Sequence, residues 1–209
     1  MKKLIIVDSG CANLNSIYKA SRAAGLNPFI SDDSRKIYDA GAIIFPGVGS
    51  FDHAIEVIKQ KELIEPLCKA IKDDKPFLGI CLGMQLLFSG SEESLVSNSK
   101  IKGLELIAGK AVRFPNNLPV PHVGWNQVEP VYNHPLFAGL TGSEYFYFTH
   151  SYYVSPASDY NVLAKTEYGL TFTSAVVKDS LIGVQFHPEK SGPAGLRLLA
   201  NFGKIIADQ

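Results

Sequence analysis

A chain of 209 residues, 46% apolar and 19% charged, carries enough nonpolar side chain for a sizeable core and is not disordered. Twenty basic and twenty acidic residues cancel, so the overall charge draws the chain neither to nucleic acid nor to an anionic membrane. Its three cysteines, Cys11, Cys68 and Cys81, do not form a disulfide framework, which points to a reducing cytoplasm.

Met1-Lys2-Lys3 is followed by only four apolar residues before Asp8. That is well short of the ~7–15 residues of a secretion-signal core. No run approaches the ~18 apolar residues of a membrane span, so a soluble cytoplasmic chain is expected. A buried strand is predicted at 4–8, then a helix over 13–24 with Leu14, Ile17, Ala20 and Ala24 on one face and Gly25 as its stop. A short strand at 29–30 and a buried one at 42–45 come next, the latter closed by Pro46-Gly47-Val48-Gly49-Ser50. A helical stretch spans 52–72, broken before Pro66. An apolar run, 76–79, then reads as a strand leading into a helix-like segment, 84–88. Strand, turn and helix thus alternate, which predicts a mixed, mostly parallel central sheet with helices on both faces.

Past Leu104 the chain changes to β-branched and aromatic residues with turn signals, a β-rich second half. Strands are expected at 144–154, 160–165, 171–177 and 181–186, the last two joined as a hairpin by Lys178-Asp179-Ser180. An amphipathic helix over 194–206 closes the chain. No repeat or linker divides it, so residues 1–209 are expected to form a single α/β domain.

Chemistry concentrates at Gly79-Ile80-Cys81-Leu82-Gly83. Glycines two before and two after a nucleophilic residue suit a sharp strand-to-helix turn, since a Cβ there would strike neighbouring backbone and glycine tolerates positive φ. This is the nucleophile elbow with sulfur in place of serine oxygen. It sets a helix N-terminus against the sulfur, which favours a thiolate. The alternative is a buried structural cysteine beside packing glycines.

A nucleophilic cysteine needs a base, and the base needs an orienting group. His53 sits among polar neighbours on a predicted helix, and His134 precedes a proline in a turn. His187 stands at a strand end before Pro188-Glu189, and an extended Glu189 would face the same side as the imidazole. Cys81, His187 and Glu189 therefore read as nucleophile, base and orienter. For a developing oxyanion, the Leu82 N–H is offered by the elbow. A second donor is available from Pro46-Gly47-Val48-Gly49, whose glycines would let the peptide before Val48 rotate, unless this is an ordinary glycine-rich turn. Cys68 falls on an apolar helix face and Cys11 in a loop with no basic partner nearby in sequence. No cysteine or histidine pair has metal-ligand spacing, so neither metal nor cofactor is expected.

These blocks, with Asp8-Ser9-Gly10-Cys11-Ala12-Asn13-Leu14, Pro121-His122-Val123-Gly124-Trp125-Asn126, His150-Ser151-Tyr152-Tyr153 and Lys190-Ser191, resemble the triad (class I) glutamine amidotransferases. The closer likeness is to the glutaminase subunits of imidazole glycerol phosphate synthase. One departure is Ser9-Gly10-Cys11-Ala12-Asn13, where Tyr-Gly-x-Gly-Asn is commoner, which bears on a partner contact rather than on the chemistry. The resemblance implies attack of Cys81 on the carboxamide of L-glutamine, protonation of departing ammonia by His187 and hydrolysis of a γ-glutamyl thioester. It places Val48 and Leu82 in the oxyanion hole and Gly49, Gln85, His150 and Ser151 around the substrate. It also implies a heterodimer with a (β/α)₈-barrel cyclase subunit, which uses the ammonia to make imidazole glycerol phosphate and aminoimidazole carboxamide ribonucleotide in histidine biosynthesis. Asn13, His122, Trp125, Asn126, Tyr147 and Lys190 would lie near that contact. A related glutaminase feeding another acceptor, such as a sugar, would carry the same motifs. A non-catalytic homologue would have lost Cys81, His187 or Glu189, and a free-standing cysteine peptidase is not forbidden by the triad alone.

Overall fold

A computed structural model of the chain describes residues 3–93 and 101–209. The first half alternates as expected: β1 (Leu4–Val7), α1 (Leu14–Ala23), β2 (Pro28–Ser31), α2 (Ser34–Tyr38), β3 (Ala42–Gly47), α3 (Phe51–Gln60), α4 (Ile64–Lys72), β4 (Phe77–Cys81) and α5 (Leu82–Gln85). The second half supplies β5 (Gly109–Arg113), β6 (His122–Gln127), β7 (Glu129–Pro130), β8 (Tyr145–His150), β9 (Tyr152–Pro156), β10 (Val162–Glu167), β11 (Thr171–Lys178) and β12 (Leu181–Val184), then α6 (Gly192–Asp208).

Among the described residues, ten strands make one sheet in the order β2-β1-β3-β4-β12-β11-β10-β7, with β9 paired to β11 and β5 to β9. Pairing is parallel from β2 to β12 and antiparallel from β12 outward. Strands apolar on both faces must be covered on both, and they are. Leu4, Ile6, Ile44, Leu78 and Ile80 cluster with Ile17 of α1 and Leu198, Leu199 and Phe202 of α6. Ile5, Val7, Ile43, Phe45 and Phe77 pack on the other face against Ile37 of α2, Phe51 and Ile58 of α3 and Leu67 of α4. β6 and β8 form a separate antiparallel ribbon with Trp125 opposite Tyr147.

Several boundaries differ from the sequence expectation. The helical stretch over 52–72 is two helices, parted at Lys61–Leu63 where Glu62 turns to φ +56°. The break falls before Pro66, as expected, and Pro66 itself sits in the first turn of α4, where a missing N–H costs nothing. The expected strand over 144–154 is split at Ser151 into β8 and β9, and β12 ends at Val184 rather than at 186. β4 runs on to Cys81 instead of ending at Gly79, so α5 starts at Leu82. Among the described residues no helix is long and apolar enough to cross a membrane.

Candidate active site

Cys81 closes β4 with φ +54° and ψ −111°, a conformation that costs a residue bearing a Cβ about 1–3 kcal/mol. Packing of main chain on main chain enforces it. A Cβ at Gly83 would lie 2.0 Å from the Phe45 carbonyl oxygen, and one at Gly47 would lie 2.8 Å from the Gly83 nitrogen. A Cβ at Gly79 would stand 3.0 Å from the Gly83 oxygen. The flanking glycines are thus required for close approach, while the positive φ falls on Cys81 itself.

β12 lies beside β4 in parallel register, Val184 opposite Ile80, so the chain leaving β12 emerges next to Cys81. His187 Nδ1 is 2.7 Å from Glu189 Oε1, and both side chains are buried. The route differs from the expected one. Pro188–Lys190 form a 3-10 turn rather than an extended segment, and His187 caps it with extended dihedrals, which swings Glu189 back to the ring. The His187 N–H donates to the Tyr147 oxygen, and its carbonyl accepts from the Ser191 hydroxyl. Burial opposes charge on His187, but the Cys81 sulfur and the Glu189 carboxylate outweigh it and push the imidazole up to about 10. His187 Nε2 is buried and makes no hydrogen bond of ordinary geometry, while the neighbouring Cys81 sulfur raises the imidazole through hydrogen bonding and charge together.

In front of Cys81 lies a cavity of about 280 Å³ that brings together Val48, Gly49, Leu82, Gln85, His150 and Ser151, with Glu93 and Tyr152 added. The Leu82 N–H, at the first helical position, has no acceptor within its own helix. The Val48 N–H is already given away: it donates to the Cys11 carbonyl at 2.7 Å, so in this conformation it serves the 8–13 loop and not an oxyanion. Gln85 uses both hydrogens of its amide, on the Tyr152 oxygen and on Gln185 Oε1, each at 3.0 Å, which leaves Gln85 Oε1 as the acceptor. His150 lines the cavity, yet both its ring nitrogens are committed, Nδ1 to the Tyr152 oxygen at 2.8 Å and Nε2 to His122 at 3.1 Å. What His150 can offer a ligand is therefore backbone, while the Ser151 carbonyl already accepts from the Phe114 N–H. Glu93, Tyr152 and Gln185 were not singled out by the sequence reading. Tyr152 adjoins Ser151 and Gln185 lies two before His187, yet neither was given a role there, and Glu93 has no motif to mark it.

The period of two along β6 sorts the remaining candidates. Val123 and Trp125 point outward, 57% and 54% exposed, beside Tyr145 at 53%. The Trp125 and Tyr147 rings meet edge to face at 6.0 Å, and Lys190 Nζ lies 5.5 Å over the Tyr147 ring. His122 and Asn126 face the opposite way. His122 is 3% exposed and stacked on Tyr168 at 3.9 Å, and Asn126 donates to the Glu167 oxygen at 2.8 Å. Those two are therefore not part of the aromatic face on which Trp125, Tyr147 and Lys190 meet. Asn13 caps α1, its side chain accepting from the Ser16 N–H. Among the described residues, no group of three or more His, Cys, Asp or Glu gathers as for a metal ion.

A family model for class-I glutamine amidotransferases matches residues 5–206 of the chain. The chain is 48% identical over 202 residues to the imidazole glycerol phosphate synthase subunit HisH of Photorhabdus laumondii, covering 96% of this chain and 98% of that one. It is 42% identical over 208 residues to the subunit of the same description from Symbiobacterium thermophilum, covering 100% and 96%. Among solved structures, PurLQS from Thermotoga maritima matches with a TM-score of 0.74 at 19% identity, covering 98% of this chain and 99% of that one, a likeness of fold.

Proposed function

The chain belongs to the class-I glutamine amidotransferases and, within them, to the HisH subunits of imidazole glycerol phosphate synthase, and on that footing we propose that it acts in the cytoplasm as a single glutaminase domain that hydrolyses L-glutamine and delivers the ammonia to a (β/α)₈-barrel cyclase subunit. What carries the reading is a strained cysteine at a strand end with a buried His187–Glu189 pair beside it.

The Cys81 thiolate attacks the carboxamide carbon, a C–S bond forms, and the carbonyl electron pair moves onto oxygen, where the Leu82 N–H meets it. The Val48 N–H becomes the second donor once the Gly47–Val48 peptide turns away from the Cys11 carbonyl. His187 passes its Nε2 proton to the amide nitrogen, the C–N bond breaks, and ammonia leaves a γ-glutamyl thioester. Neutral His187 then takes a proton from water, the hydroxide attacks the thioester, and the C–S bond breaks to restore thiolate and imidazolium, the γ-carboxylic acid of the product losing its proton to solvent as glutamate. Gln85 Oε1 and the Glu93 carboxylate are acceptors for the amide and ammonium hydrogens of glutamine. The backbone of Gly49, His150 and Ser151 completes the pocket.

Ammonia escaping into water at neutral pH becomes ammonium, which is no nucleophile, so release has to be coupled to an acceptor. The aromatic face of Trp125, Tyr147 and Lys190 is the proposed seat of the cyclase, since Trp and Tyr are the usual anchors of an interface; Asn13 caps α1, the helix that packs on the Pro188–Lys190 turn. The test is glutamate release by the chain with and without the cyclase and its nucleotide ligand. Weak activity alone, strong stimulation in the complex and none from Cys81→Ala are expected. Full activity of the lone chain would argue against coupling, and activity in Cys81→Ala would remove the nucleophile assignment.

A further inference from the structure

Each hydrogen bond behind the cavity can be given a direction, because the contacts converge on a group that only accepts. The Tyr152 carbonyl faces the Gln85 amide at 3.0 Å, so the Gln85 atom there is Nε2. Its second hydrogen goes to Gln185 Oε1, also at 3.0 Å. Gln185 is left with its own Nε2, which stands 3.6 Å from Cys81 Sγ, within reach of an N–H···S bond. Turning that amide over would set N–H against N–H at Gln85 and a carbonyl oxygen against the sulfur.

The same carbonyl orders the histidines. His150 Nδ1 lies 2.8 Å from it and must carry the hydrogen. Burial pushes His150 down to about 3, so the ring is neutral and its Nε2 accepts. His122 Nδ1, at 3.1 Å, is then the donor, and its Nε2 faces Asn126 Nδ2 at 3.5 Å. Gln85, His122, His150 and Gln185 are all at most 6% exposed, so each would be costly to leave unpaired. The charged groups near the sulfur are His187, Glu189 behind it and Glu93 across the cavity.

We infer that Gln185 is a further catalytic residue, its amide N–H donating to the Cys81 sulfur and steadying the thiolate, with His122, His150, the Tyr152 carbonyl and Gln85 as positioning groups that hold the amide in that orientation. The inference rests on Cys81 being the glutaminase nucleophile. It divides the work around the sulfur: His187 supplies a charge and a proton, and Gln185 supplies a directed, neutral hydrogen bond from a different side chain.

The experiment uses the chain in complex with the cyclase barrel. Gln185→Met keeps the length and removes the donor; Gln185→Glu keeps the shape and sets an oxygen against the sulfur. Two quantities are read: glutaminase kinetics, and iodoacetamide alkylation of Cys81 between pH 5 and 9, resolved by peptide mass spectrometry. In Gln185→Met, kcat should drop about ten- to hundredfold, the worth of a hydrogen bond to a charged group. KM for glutamine should stay within about twofold, since Gln185 does not line the cavity. Alkylation should shift to higher pH, and further in Gln185→Glu. His122→Phe, which keeps the ring stack and loses the donor, should move alkylation the same way by less, and His122→Asn, with an N–H near the old Nδ1, should restore it. A folded Gln185→Met complex with the wild-type alkylation profile would overturn the inference. Should that variant not fold, an unshifted profile in His122→Phe would do so. A wild-type complex that releases no glutamate sinks the glutaminase reading instead, and does so without touching the alkylation result.

Discussion

His187 carries opposing electrostatic demands at a position where its side chain is only 2% exposed. An isolated histidine titrates near ~6.5, whereas here the sulfur and Glu189 hold the proton up to about 10. Between those values the folded chain keeps a proton that the unfolded chain has lost. The stabilisation is complete below pH ~6.5 and drains away as pH rises through the folded value, by up to about 1.4 kcal/mol per pH unit for one proton. His122 and His150, pushed down by burial to about 4 and 3, act in the reverse sense. They stay neutral where the unfolded chain would take up protons, so stability also falls as pH drops below ~6.5. Urea unfolding of Cys81→Ala from pH 7 to 9.5, which removes the thiol's own titration, should therefore show declining stability, and a shallower decline when Glu189→Gln is added; parallel slopes would contradict the pairing. The three residues of the proposed triad could be picked out in the sequence because they sit in short motifs, a glycine-flanked cysteine and a His-Pro-Glu run. Gln185 stands in the same stretch two residues before His187, but its approach to the sulfur, like that of Glu93 to the cavity, is set only by folding.

At the scale of elements, the elbow works because β3 and α5 touch without side chains between them. Gly83→Ala forces a Cβ to within 2.0 Å of the Phe45 carbonyl oxygen, which belongs to a central strand and has nowhere to go. It should cost at least about 3 kcal/mol in urea unfolding or yield no folded protein. Gly90→Ala, whose Cβ meets only the Ile101 oxygen at 4.0 Å, should stay within about 0.5 kcal/mol of wild type. Equal effects would show that backbone contact at the elbow is not what fixes Cys81. The β6–β8 ribbon divides its residues by alternation, aromatic outward and histidine inward. That division was hidden in Pro-His-Val-Gly-Trp-Asn, because a motif read as a block does not say which of its residues share a face. If the proposed docking face is right, Trp125→Ala should weaken binding of the proposed cyclase partner by about 30-fold, the cost of losing an interface anchor, while leaving the melting temperature of the lone chain unchanged. Calorimetric titration with the barrel checks the first part, and unaltered affinity would move the docking surface elsewhere.

At the scale of the molecule, the helix-covered parallel half was readable from its alternation of strands and helices, whereas the order of the antiparallel half was not. β5, β7 and β9 are short and pair with strands far off in sequence, and no periodicity states a partner. The arrangement that matters most is the place of β12. It is the last strand in the chain, yet it sits in the middle of the sheet between β4 and β11, and it alone brings His187 and Gln185 to Cys81. This orders events during synthesis. A growing polypeptide that has finished both glycine turns and the elbow has Cys81 in place while His187 and Gln185 have yet to be translated. On the proposed triad, chains that stall, terminate early or lose their final segment to proteolysis should release no glutamate, which an assay of a chain truncated before Gly183 would check.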